Sequence, residues 1–85
     1  RPGVQVTESV YVHPSAVLED AHIGPGVSIG RDCVVRGSRL TDCVMEAGAE
    51  VHDSDLHDSM IGERAVVRGM KGSVNVGDDS QVSGE

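Results

Sequence analysis

His52 and His57 are the residues of this 85-residue sequence best suited to chemistry. Imidazoles serve as zinc ligands and as general bases near neutral pH. His13 and His22 complete the set. A catalytic zinc needs three protein ligands converging on one point. Cys33 and Cys43 could supply thiolates or a disulfide. Glu19, Asp20, Asp32, Asp42, Asp53, Asp58 and Glu63 read as paired or clustered carboxylates, yet Asp also closes turns onto the backbone. "GMKGS", at residues 69–73, is the only Gly-Lys element. A phosphate loop needs several Gly leading into a helix N-terminus, and no helix pattern follows, so this segment reads as a connection. Whether any of these groups meet depends on the elements that carry them.

Those elements announce themselves as a repeat. Val6, Val12, Leu18, Ile23, Ile29, Val35, Leu40, Met45, Val51, Leu56, Ile61 and Val67 follow one another at steps of five or six residues. Val76 and Val82 follow after an interruption. The residue two before each is small or Val, and never charged: Ala16, Ala21, Cys33, Ser38, Cys43, Ala49, Ser54, Ser59 and Ala65 among them. Residues two apart in a strand face the same way. Each rung therefore points one small and one aliphatic residue inward, and the residues between rungs are corner types. The list does not keep the rhythm of an amphipathic helix.

Three rungs per coil predict an all-β, parallel β-solenoid of triangular cross-section with nearly five coils, one domain over 1–85 with its repeat region at 4–82. The inner columns read Val6, Ile23, Leu40, Leu56, Val76, then Val12, Ile29, Met45, Ile61, Val82, then Leu18, Val35, Val51, Val67. A narrow prism has no room for Trp or Phe, and the sequence has neither; Tyr11 is its single aromatic residue. His52 and His57 fall at different corners, His13 at the third, and His22 on a flat side. No three converge within one chain, and a site shared between subunits stays open. Cys33 and Cys43 fall inward in different columns, which disfavours a disulfide and suits a reducing cytoplasm. The reading is no catalytic, cofactor-binding or metal-binding residue in this chain.

Composition narrows the partners. Fourteen acids against seven Lys plus Arg give a net charge of -7. That balance disfavours nucleic acid and anionic membranes. No apolar run approaches the roughly 18 residues of a membrane span, and no signal-peptide pattern opens the chain. The sequence begins Arg1-Pro2-Gly3 with no Met, and is expected to be cut from a longer protein.

Runs such as "VHPSAV", "IGPGVSIGRDCVV" and "IGERAVV" resemble the hexapeptide repeats of left-handed β-helix proteins. The left hand is implied by this resemblance alone, since parallel crossovers otherwise favour the right. The five-residue steps in "LTDCV", "VHDSD" and "LHDSM" resemble the C-terminal domains of sugar-nucleotide pyrophosphorylases, and the order of segments is similar to the tail of long-form glucose-1-phosphate thymidylyltransferases. The resemblance implies a non-catalytic assembly and docking domain. The parent would join a nucleoside triphosphate to a sugar 1-phosphate and release pyrophosphate, with magnesium held in an N-terminal catalytic domain. The expected partners are that catalytic domain and other copies of the chain, in the cytoplasm. The alternatives are a fragment of a hexapeptide-repeat acyltransferase and a free-standing scaffold. The His-x4-His interval also occurs among zinc ligands of the carbonic anhydrases built on this fold.

The residue between each inward pair faces out. One side is then polar: Gln5, His22, Arg39, Asp55, Asn75. The second shows Tyr11, Ser28, Val44, Met60, Gln81, and the third Val17, Val34, Glu50, Val66. Rows of exposed apolar residues mark interfaces. Tyr11, Val17, Val34, Val44, Met60 and Val66 are therefore the expected interface.

Overall fold

A computed structural model describes residues 3–6 and 9–84, with the backbone alone for Gln5 and Val6. The described residues form a parallel β-solenoid of about five turns without a helix. Val6 therefore lies in a paired strand, but its expected inward side chain falls outside the description, as does the outward one of Gln5.

The three sides wind in a fixed order. Side one stacks Gln5, His22, Arg39, Asp55 and Lys71. Side two stacks Tyr11, Ser28, Val44, Met60 and Asn75. Side three stacks Val17, Val34, Glu50, Val66 and Gln81. Sides one and two merge into one eight-stranded sheet because Arg39–Met45 and Asp55–Ile61 run unbroken across their shared corner. Side three is a separate five-stranded sheet.

The inward columns are the core. Ile29, Val35, Leu40 and Val51 are fully buried, and the small positions Ala21, Cys33, Cys43, Ala49 and Ala65 are equally closed. The lower end is looser, with Val4, Val10 and Val12 only partly buried against it.

The last coil departs from the expected register. Leu56 is partnered by Gly72, not Val76; Val76 sits over Ile61, and Val82 over Val67. Residues 69–73 are not an interruption. Lys71–Gly72 is a paired strand, and Asp55 donates its backbone N–H to the Met70 carbonyl at 2.9 Å. Asn75 and Gln81 each move on by one side as a result, and Lys71 joins the polar side. The cause is local: a Gly takes the inward aliphatic place and Met70 the small one, so the composition rule fails while the backbone ladder continues.

Corners explain the two step lengths. In four of the six-residue rungs a turn bond closes the corner, as from Ala49 N–H to the Glu46 carbonyl and Ala65 N–H to the Gly62 carbonyl. Four of the five-residue rungs use the small inward residue instead. Ser38, Ser54 and Ser59 donate their hydroxyls, and Cys43 its thiol, to the carbonyl two residues back. The three hydroxyls also accept a backbone N–H from the next coil, belonging to Ser54, Met70 and Val74 respectively. Each thereby holds a backbone N–H of the next coil that a tight corner would strand.

The residue before the small position is commonly left-handed. Asp20, Asp32, Asp42, Asp53, Asp58 and Asp79 all have φ between 48° and 62°. Asp tolerates this region better than most residues with a Cβ. Gly26, at φ 75°, shows why Gly recurs there too: a Cβ would collide with the Asp42 carboxylate one coil on. These carboxylates are corner pieces, as the turn reading expected.

Ser54→Ala tests the corner bonds. It strands the Met70 N–H, bonded to Ser54 Oγ at 3.0 Å, and leaves the His52 carbonyl, which Ser54 Oγ meets at 2.9 Å, with the Gly69 N–H alone. Unsatisfied buried groups cost about 1–3 kcal/mol each. Urea denaturation should show a loss in that range for Ser54→Ala and under about 0.5 kcal/mol for the exposed Ser83→Ala. Equal midpoints for the two variants would refute the role.

Candidate functional site

The four histidines do not meet. His13 holds Ser15 through its Nδ1, at 3.1 Å to the backbone N–H and 2.9 Å to the hydroxyl. His57 Nδ1 lies 3.1 Å from Asp58 Oδ2 on a different, exposed corner. His22 stands exposed on side one. Among the described residues no three His, Cys, Asp or Glu are grouped to hold a metal.

His52 adds to the expectation of a corner histidine without a ligand role. It is only 9% exposed, and its Nε2 lies 2.9 Å from Glu50 Oε1. The carboxylate can only accept, so Nε2 donates. The ladder stacks Arg36 on one face of this position and Arg68 on the other. Arg36 in turn pairs with Glu19 at 2.7 Å. The signal was present in the sequence: Arg36, His52 and Arg68 are spaced by one coil, 16 residues each way, and Glu50 shares a side with His52.

Both thiols are buried and free. Cys33 donates to the Glu46 carbonyl at 3.0 Å and Cys43 to the Thr41 carbonyl at 3.2 Å. Burial raises the pKa of each above that of an ordinary thiol, so neither is an activated nucleophile. Arg64 binds Asp79 through two bonds, at 2.6 and 3.0 Å, and lowers its carboxyl pKa. That pair fastens a corner to the final coil.

A shallow groove of about 320 Å³ lies along polar side one, with His22, Arg39, Asp55 and Lys71 projecting into it and Asp20 and Asp53 on its rim. Asp53 is turned across the corner toward Gly37. Arg39, Asp55 and Lys71 alternate in charge along the row, and every projecting side chain is exposed.

Sides two and three differ in kind from side one. Tyr11, Val17 and Met60 are 54%, 42% and 57% exposed. Val44, Val34 and Val66 are half-buried in the same rows. The six expected interface residues thus face outward on two adjoining sides, while side one shows no aliphatic residue. No helix among the described residues is long and apolar enough to cross a membrane.

No protein-family model and no curated protein matches this sequence. Among solved structures the chain is similar to GDP-perosamine N-acetyltransferase of Caulobacter crescentus, a histidine-to-alanine variant in complex with CoA and GDP-perosamine. Identity is 23% over 94% of this chain and 45% of that one, with a TM-score of 0.52. A histidine-to-asparagine variant of perosamine N-acetyltransferase from the same organism gives 19% identity over 95% and 53%, with a TM-score of 0.46. The chain spans about half the length of the structures it matches. At this identity the likeness concerns the fold alone: the chain shares its parallel β-helix with an N-acetyltransferase.

Proposed function

We propose that this chain is the β-helix assembly part of a larger enzyme acting on nucleotide sugars. It packs against further copies through sides two and three and carries no complete reaction centre of its own. The carrying observation is the asymmetry of the prism: Tyr11, Val17, Val34, Val44, Met60 and Val66 occupy two sides, and the third is polar. A second copy suits these rows because its own rows repeat at the same coil spacing of about 4.8 Å. Side chains of two such prisms can interdigitate along their whole length. The free thiols of Cys33 and Cys43 suit a reducing cytoplasm.

The likeness to an enzyme complexed with CoA and GDP-perosamine favours acyl transfer as the chemistry of the whole protein. The tight corners at Ser38, Cys43, Ser54 and Ser59 favour a second reading. They resemble the C-terminal domains of sugar-phosphate nucleotidyltransferases, whose magnesium belongs to a separate catalytic domain that would be the other partner of these sides.

Sedimentation equilibrium of the purified chain tests the assembly, together with assays for acetyl transfer from acetyl-CoA and for nucleotidyl transfer. A mass above one protomer with no turnover is expected. A monomer at every concentration would overturn the assembly. Turnover abolished by His52→Ala or His57→Ala would overturn the non-catalytic part.

A further inference from the structure

Side three carries one charged residue in its apolar row. Glu50 stands between Val34 and Val66, and its side chain is 39% exposed. Covering this side with another copy takes water from that carboxylate. A covered carboxylate is unfavourable unless it is paired and hydrogen-bonded. Its partner is already in place: His52 Nε2 at 2.9 Å, on an imidazole whose side chain is 11% exposed. With a neutral imidazole the pair carries one net negative charge, and with an imidazolium it carries none.

We infer that the Glu50–His52 pair takes up a proton when side three is covered by a second copy, so that association strengthens as pH falls through the histidine range. The inference rests on the assembly proposed above. The surrounding charges are few. Arg36 and Arg68, one coil to either side, both oppose the added proton. The charge of Arg36 is met by Glu19 at 2.7 Å. Arg68 is exposed and makes no ion pair among the described residues. Asp53, the next residue, turns toward Gly37 across the corner. Glu50 is the one carboxylate on the ring itself. By linkage, a proton bound more tightly in the assembled state makes assembly tighter at lower pH.

Sedimentation of the wild-type chain and of Glu50→Gln and His52→Gln at about pH 8 and about pH 5.5 tests this. Every form loses net negative charge on acidification, so a shared gain in association is the background. Wild type should gain about tenfold more than either variant. Glu50→Gln, with no carboxylate to cover, should associate at about pH 8 at least as tightly as wild type. Equal gains in wild type and Glu50→Gln would overturn the inference and leave the assembly standing. A wild-type chain monomeric at both pH values would overturn both.

Discussion

Ile29→Ala should lower the unfolding free energy by about 2–5 kcal/mol. Ile29 is fully buried, with Val12 beneath it and Met45 above it in the same column. Truncation opens a cavity that the coils cannot close, because backbone bonds fix their spacing. His13 N–H reaches the Ile29 carbonyl at 2.9 Å, and Gly30 N–H the Met45 carbonyl at 2.9 Å. His22→Ala, on exposed side one, should cost under about 0.5 kcal/mol. Denaturant titration of the two variants decides the matter. Equal midpoints would mean that the inward and outward sets are misassigned.

That pair of residues also shows what could be read from the sequence. The inward columns from Leu18 to Val67 were legible because burial imposes a strict alternation, and a one-residue slip would have put Arg39 or Glu50 inside. The final coil was not legible. Gly72 has no side chain to report its inward direction, and the step from Gly72 to Val76 is only four residues. A rule built on aliphatic spacing therefore passed over a rung that the backbone ladder keeps. The serines show a different limit. Ser38, Ser54 and Ser59 were legible as small inward residues, but their size alone does not reveal that each hydroxyl replaces a turn bond. The site was partly legible for the same reason. The apolar rows follow directly from alternation. The burial of His52 follows from stacking, since the residues that cover it are one coil away in sequence.

A coil-by-coil stack also sets where stability resides. Each coil touches only its neighbours, so the ends have one partner where the middle has two. The exposures follow this: Ala49, Val51, Ala65 and Val67 are fully closed, while Val10, Val12, Val74 and Val82 are only partly so. Contacts along the sides reach every coil at once, so side-to-side packing with another copy reinforces the ends without extending the stack.

Val34→Glu with Val66→Glu should separate the copies, raising the dissociation constant by at least about a hundredfold. Both side chains are half-buried on side three, one coil to either side of Glu50. The double variant puts three carboxylates in one row, and His52 can pair with only one of them. Covering two further carboxylates in an apolar contact costs several kcal/mol, even with Arg68, two residues on from one of them, there to pair with it. The inward neighbours Cys33, Val35, Ala65 and Val67 are untouched and fully buried, so the core should hold. Repulsion along the row will cost some stability, of the order of 0.2–1 kcal/mol for each pair of like charges. Circular dichroism and thermal melting of the variant establish that it remains folded. His22→Glu, which adds charge to polar side one, should leave the sedimenting mass unchanged. A folded double variant with the mass of the wild-type assembly would show that side three is not the contact, and the rows at Tyr11, Val44 and Met60 would then have to carry it alone.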